Sequence, residues 1–319
     1  MRLLTLLGSL SLLPFATGQE LSRGLVDADV VVVARQVGKK PFGDDLVLHR
    51  VQVLHDVRGA GADTAVTVLD WPKLGLHLRP SPRQSRLYCL QDASVTAAKL
   101  GLPANDGPYY RMVGWPGSNP LIGSDLDRDA NLAFARLLAA SEAGAPPATT
   151  AAALCTMALD GEPGIRQEAV RFLLGREDLR AQLGPVSWSR LMTRACGEVD
   201  DVPYKIALAE LCAEQRLDGL LDALAVSLGP VQDPEFARAV GRIGRLLHGE
   251  QATNRLEARL RNLGDTHDRA ATLLAIGATN TKAALAALQR MDQGDKAVEA
   301  ALHEHRGWRA AQDAVGRRK

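Results

Sequence analysis

The stretch that decides the fold is EPGIRQEAVRFLLG, residues 162–175. Its apolar residues Ile165, Ala169 and Leu173 recur at four-residue steps, the spacing that places side chains along one face of an α-helix. Pro163 suits the first helical turn, where its missing N–H would have had no partner. The stretch therefore predicts a short helix with one apolar face.

Helices of the same kind recur from about residue 125 onward, separated by breakers such as Asp233-Pro234. Taking the first helix of each pair, a mid-helix alanine recurs at spacings of 38, 32, 31 and 30 residues, at Ala169, Ala207, Ala239, Ala270 and Ala300. Helices of about 10–14 residues are marginal in isolation and need neighbours to pack against. The repeat predicts an α-solenoid of helical hairpins in which alanine allows close approach. The last two helices are predicted as separate, at 296–305 and 308–315.

Residues 162–175 resemble a HEAT-like repeat of the short bacterial type, with an acidic residue and proline at the start, an apolar–Arg step, a small pair and a Leu-Gly end. Residues 265–277 repeat this pattern with a slip of about one residue, and residues 233–244 and 201–212 are fainter copies. The resemblance covers about residues 160–305. It implies an α-solenoid scaffold and no particular chemistry. An irregular helical bundle is the alternative.

Residues 19–123 differ in composition, being rich in valine, aromatic and turn residues. Strands are predicted at 30–35, 45–57, 65–71, 85–90 and 109–115. Short strands separated by Gly, Pro and Asp predict a small antiparallel β-barrel or sandwich. The fold class is therefore α+β with two domains, the β-rich module at 19–123 and the helical domain at 124–319.

The strand order of the first module resembles that of netrin-like modules, an OB-type barrel shared with tissue inhibitors of metalloproteases. Those inhibitors depend on an N-terminal cysteine that chelates the zinc of their target. No cysteine lies near Gln19, so the resemblance implies the fold and does not support inhibition.

The first 18 residues have the pattern of a cleavable signal peptide: Arg2, an apolar run at 3–15, and small residues at 16–18. Thirteen helical residues span roughly 20 Å, less than the ~30 Å hydrocarbon core of a bilayer. No later segment is apolar for 18 residues. We therefore expect an exported protein, periplasmic or extracellular, with no stable membrane insertion after cleavage.

Charge argues against a nucleic-acid partner. Removing Arg2 with the signal peptide lowers the Lys and Arg count from 38 to 37, equal to the 37 Asp and Glu. A neutral chain has no overall field to attract polyanions.

The four cysteines, Cys89, Cys155, Cys196 and Cys212, are widely spaced and match no metal or redox motif. Buried free thiols are expected, because a thiol in an apolar helical pattern behaves as a small apolar side chain. A Cys196–Cys212 disulfide between successive helices remains open.

Known catalytic patterns are missing from the sequence: HExxH, GxSxG, a Walker loop, and GxGxxG after a strand. A site formed by His49, His55 and His77 is conceivable, but ordinary surface or half-buried histidines are the simpler interpretation. His303 and His305 point apart on a helix and are expected on a solvated face. No catalytic, cofactor-binding or metal-ligating residue is predicted.

The candidate partner contacts are Tyr109, Tyr110, Arg111 and Trp115, because aromatic residues and arginine dominate binding hot spots. The alternative is that alternate members of this segment fill the core.

Together these patterns predict an exported, non-catalytic scaffold that binds a protein or peptide partner. An enzyme or cofactor-maturation factor with an unrecognised site is an alternative, as is a binding or inhibitor module acting through the β-rich domain.

Overall fold

The computed structural model describes residues 20–61, 64–72, 83–113, 119–198, 201–229, 233–263, 266–292 and 294–316. The chain divides into two compact units, Met1–Ala145 and Pro146–Lys319. The predicted fold class is confirmed: the protein is α+β, with a small β-barrel followed by helices packed in pairs.

The strands of the first unit are rich in valine, which suits a half-buried pleated surface. They are β1 (Val30–Phe42), β2 (Leu46–Arg58), β3 (Ala65–Asp70), β4 (Ser85–Asp92), β5 (Tyr109–Met112) and the short β6 (Leu121–Ile122). A tight turn joins β1 to β2, and Gly43 supplies the positive φ of 63° that this turn uses.

Five of these strands close into a barrel in the order β1-β2-β3-β5-β4, with β4 pairing back to β1. Neighbouring strands are antiparallel except β3 and β5, which are parallel. The prediction of an antiparallel module is wrong in this detail. Strand directions cannot alternate all the way round a ring with an odd number of members, so one pair must run parallel.

Two apolar clusters hold the barrel together. Alternate residues of four strands fill its inside, among them Val32, Val51, Val68 and Tyr88. A second cluster includes Leu48, Leu69 and Tyr109, together with Ala93 and Ala97 of the segment around α2 (Ser94–Lys99). The barrel is therefore packed with side chains and also covered on part of its outer face.

Arg58 ties two further helices, α1 (Glu20–Asp27) and α3 (Ala130–Glu142), to the end of β2. Its guanidinium donates to the carbonyl oxygens of Leu25 and Ala28, each at 2.5 Å, and to the carboxylate of Glu142. Helix α3 thus belongs to the first unit, which ends after Ala145, beyond the change in composition near residue 123.

The second unit is built from helix pairs. Its helices are α4 (Pro147–Asp160), α5 (Pro163–Gly175), the short α6 (Glu177–Arg180), α7 (Pro185–Cys196), α8 (Val202–Glu214), α9 (Leu220–Val226), α10 (Pro234–His248), α11 (Gln251–Arg261), α12 (Thr266–Thr279), α13 (Lys282–Gln289) and α14 (Lys296–Gly316). The pairs are α4–α5, α7–α8, α9–α10, α11–α12 and α13–α14. Helices α5, α8, α10, α12 and α14 also pack in that order as one row, and α4, α7, α9, α11 and α13 form the other. No described helix is both long and apolar enough to cross a membrane.

An Asp followed closely by a Pro marks the start of two helices, α8 and α10. Asp201 accepts a hydrogen bond from the Tyr204 N–H at 3.0 Å, and Asp233 accepts one from the Glu235 N–H at 2.7 Å. In both helices a proline occupies the first turn. These residues satisfy or remove backbone donors that have no partner within the helix.

Two glycines lie where neighbouring helices of the row approach closely. A Cβ on Gly241 of α10 would lie 2.2 Å from the carbonyl oxygen of Ala275 in α12. A Cβ on Gly277 of α12 would lie 2.3 Å from the carbonyl oxygen of Ala301 in α14. The backbones of successive helices therefore touch at positions where any side chain would collide.

The recurring alanines play two different parts. Ala169, Ala207 and Ala239 are buried, as expected for residues between helices. Ala270 and Ala300 are exposed, so their predicted role in helix–helix contact is wrong. The pattern in α12 and α14 has slipped by about one residue, which turns a side chain by roughly 100° around the helix.

Candidate functional site

A groove of about 310 Å³ lies over α12, between α10 and α14. Its floor is formed by α12, and its walls by the first turns of α10 and α14. The floor residues are Ala270, Ala271 and Leu274. The wall residues are Pro234 and Ala237 of α10 and Ala297 and Ala300 of α14. We call this surface the α12 groove.

The floor of the groove exists because α12 is apolar on two faces. Leu273, Ala275 and Ile276 are buried within the unit. On the other side Ala270 is exposed and Leu274 is half-buried. A helix that is apolar beyond the face it buries presents surface for a further contact. Sequence reasoning did not indicate this site, although the apolar composition of residues 270–278 on all sides was the available signal.

Gly229 and Asp233 line one end of the groove. Gly229 lies so close to the start of α12 that a Cβ on it would be 2.1 Å from Oδ1 of Asp268. Asp233, the N-cap of α10, lines the same end. A side chain at position 229 would therefore collide with Asp268.

An ion pair joins the two walls of the groove. Arg238 of α10 donates from Nε to Glu304 of α14 at 2.8 Å, and from Nη1 to Glu235 at 2.6 Å. The bond to Glu304 is the main cause that raises the pKa of Arg238. Because the pair is partly shielded, with side chains 31% and 24% exposed, it restrains the spacing between α10 and α14.

Beyond this pair lies a wider polar trough of about 840 Å³, which shares residues of all three helices with the groove. Exposed residues of α14 line it: Lys296, Glu299, His303 and Arg306. We call it the α14 trough. Among the described residues of the trough, Lys296, Arg306 and Glu299 belong to no ion pair, and these three charges are positive in balance.

The predicted contact residues of the first unit have different surroundings. Tyr109 is 4% exposed, packs in the core, and donates its hydroxyl to the Pro103 carbonyl at 2.7 Å. Tyr110 is half-buried against the inner cluster of the barrel. Arg111 is exposed and donates to Gln91 Oε1 at 2.6 and 3.1 Å. Trp115 lies outside the described residues, and the alternative interpretation as core applies to Tyr109.

His49 is part of a buried polar cluster inside the barrel. Gln36 Nε2 donates to the Gly38 carbonyl at 3.2 Å and faces His49 Nδ1 at 3.3 Å. Because an amide nitrogen only donates, Nδ1 accepts, and Nε2 of His49 donates to Asp70 Oδ2 at 3.2 Å. Both ring nitrogens are therefore engaged within the barrel.

The other histidines of the conceivable metal site are not brought to His49. His55 Nε2 lies 3.1 Å from Nη2 of Arg136 in α3, and His77 falls outside the described residues. Among the residues that the structure describes, no three His, Cys, Asp or Glu side chains are grouped as metal ligands.

The two histidines of α14 do point apart. His303 is exposed, whereas His305 is 1% exposed and donates from Nε2 to the Thr281 carbonyl at 3.1 Å. The prediction of a solvated face is therefore wrong for His305. Next to it, the Thr281 hydroxyl accepts from the Ala284 N–H at 3.0 Å and bonds the Thr253 hydroxyl at 2.8 Å.

No disulfide joins the four cysteines; Cys89, Cys155 and Cys212 are buried, and Cys196 is partly exposed. Burial raises the pKa of Cys89 and of Cys212 to about 12. Burial also raises the pKa of Cys155 and Cys196. A thiol held in its protonated form is a poor nucleophile, so these residues suit packing better than chemistry.

Lys205 is a buried cation that sequence reasoning missed. The residue is 1% exposed. Its amine donates to the Gly197 carbonyl at 2.8 Å and lies 4.5 Å from the centre of the Phe236 ring. Burial lowers the pKa of Lys205. The amine thus caps the end of α7 and connects α8 with α10, a structural role.

Comparison of the chain with protein-family models, curated proteins and solved structures found no match.

Proposed function

We propose that this protein is an exported, non-catalytic interaction scaffold that binds a protein partner on the row α10–α12–α14. The α12 groove is the observation that supports the proposal. It is a continuous apolar surface bordered by charged residues, and such surfaces are typical of contact sites between proteins.

We also propose that the second unit is a HEAT-like repeat array. The sequence copies at 162–175, 201–212, 233–244 and 265–277 fall on α5, α8, α10 and α12, which are successive members of one row. Copies of one motif at equivalent places are what a repeat array requires. Stacked helix pairs leave an extended surface that arrays of this kind use for binding.

For the first unit we propose an OB-type barrel of the netrin-like kind. The five-stranded ring supports this, because a five-stranded Greek-key barrel is the OB-type architecture. Metalloprotease inhibition is not part of the proposal. The first cysteine after Gln19 is Cys89, which is buried in the barrel.

Export is proposed from the signal-peptide pattern of residues 1–18. When the chain is expressed from Met1, the protein found outside the cytoplasm should have Gln19 as its first residue by N-terminal sequencing. Retention of the intact N-terminus in the cytoplasmic fraction would contradict export.

Groove filling tests the scaffold proposal. Ala270 and Ala300 are exposed, so tryptophan at both positions should fill the groove without disturbing the core. Ala286→Trp is the matched control, because Ala286 is an exposed residue of α13 outside the groove. Chemical crosslinking in the exported fraction, followed by mass spectrometry, should recover a partner with the wild type and with Ala286→Trp. The partner should be lost with the double variant. Crosslinking that groove filling does not change would refute the proposal.

A further inference from the structure

We infer that the α12 groove binds an amphipathic α-helix of the partner, with small apolar residues facing α12 and an acidic flank facing the α14 trough. This inference rests on the proposed scaffold function and adds the chemistry of the partner.

The scarcity of polar side chains in the groove favours a helical partner segment over an extended one. Among the described lining residues, Asp233 has the only polar side chain, and its carboxylate already accepts the Glu235 N–H. Among the described residues, this surface has no uncommitted polar side chain to bind the backbone N–H and C=O groups of an extended peptide. A helix satisfies those groups internally and can lie on an apolar surface.

The size of the lining side chains favours close approach of a helix. Ala237, Ala270 and Ala300 line the two walls and the floor. Small side chains let helix axes approach to about 8 Å, at the short end of the usual range. The protein already packs its own helices in this way at Gly241 and Gly277. A partner helix would continue the same mode of packing by one layer.

The charges of the α14 trough determine which charge we expect on the flank of the bound helix. Lys296 and Arg306 are exposed in the trough and belong to no ion pair among the described residues, whereas Arg238 is engaged by two glutamates. Lys296 and Arg306 are ten positions apart, which is about 15 Å along the helix, or nearly three turns. Carboxylates along about three turns of a bound helix would complement both cations, which favours an acidic partner over a basic one.

The test uses two synthetic helical peptides of roughly 14 residues, about four turns. Both carry the same Ala/Leu face, and one has a Glu flank where the other has a Lys flank. Fluorescence anisotropy with the full chain at low salt should show the Glu peptide binding at least about tenfold more tightly. Ala270→Trp with Ala300→Trp should abolish binding, and Ala286→Trp should leave it unchanged.

Charge reversal provides the second arm. Lys296→Glu with Arg306→Glu should invert the preference towards the Lys peptide, whereas Lys282→Glu, at an exposed position of α13, should not. Equal binding of both peptides, equal binding of a proline-substituted version that cannot form a helix, or no binding would overturn the inference. If a crosslinked partner is still lost on groove filling, the scaffold proposal survives and only the stated chemistry of the partner fails.

Discussion

At the residue scale, glycine and alanine have different roles in the row α10–α12–α14. Gly241 and Gly277 sit where helix backbones touch, and Ala270 and Ala300 face the groove. The sequence indicated that small residues matter in these helices. It could not indicate which small residue makes the contact, because a shift of one position moves a side chain by about 100° and no local pattern separates the two registers.

Replacing Gly277 with alanine should destabilise the second unit by about 1–3 kcal/mol, because the new methyl group collides with the backbone at Ala301. The neighbour is backbone and cannot move aside alone. Gly164→Ala in α5 is the control, since nothing lies within 4 Å of its Cβ position. The control should gain up to about 1 kcal/mol from helix propensity. Urea unfolding measures both, and equal effects would contradict the close-contact interpretation.

Alkaline pH should destabilise the protein through its buried acids. Burial raises the pKa of Cys89 and Cys212 from 9.0 to about 12, and that of Tyr88 from 10.0 to about 12. The unfolded chain then loses protons that the folded chain keeps, so the free energy of unfolding falls as pH rises from about 9 towards 12. Lys205, with its lowered pKa, opposes this in the second unit.

Denaturant unfolding at several pH values from 8 to about 11 checks this expectation. Cys89→Ala should lower stability at pH 8 through the cavity it leaves, yet make the decline with pH shallower. A decline of unchanged steepness in this variant would show that the Cys89 thiol does not contribute.

At the element scale, local signals located most helix starts but not all elements. Asp233-Pro234 marked the start of α10 because capping is decided by residues adjacent in sequence. Helix α14 runs without a break from Lys296 to Gly316, although two helices were predicted; Gly307 lowers helix propensity by only about 1 kcal/mol and does not stop a helix. The short helices α1 and α2 carry too few turns for periodicity to show them.

Thr281→Val should destabilise the last two helix pairs by about 1–3 kcal/mol. Valine has the same shape but cannot accept the Ala284 N–H at the start of α13, and it leaves the buried Thr253 hydroxyl without this partner. Thr156→Val is the control, because Thr156 is exposed and its hydroxyl bonds only within α4. Thermal unfolding followed by circular dichroism should separate the two variants.

At the scale of the whole molecule, composition and packing divide the chain at different places. The change in composition near residue 123 separates valine-rich from alanine-rich sequence. Helix α3, although alanine-rich, buries Leu132, Phe134 and Leu138 within the first unit. Composition indicates whether a segment forms a helix or a strand. Which unit that segment packs into is decided by contacts between residues distant in sequence, such as Arg58 with Glu142.

A fragment of residues 19–145 should therefore be more stable than one of residues 19–123. The shorter fragment loses the burial of three large side chains, at about 1.5–3 kcal/mol each, and leaves Arg58 without Glu142. Melting temperatures of the two purified fragments check this. Similar values would mean that α3 contributes little to the first unit.

The unbridged cysteines have a consequence for how the protein tolerates its surroundings. Three of the four cysteines are buried, and no disulfide links any two of them. The protein's folded state should be insensitive to redox potential, keeping one melting temperature whether dithiothreitol or oxidised glutathione is present.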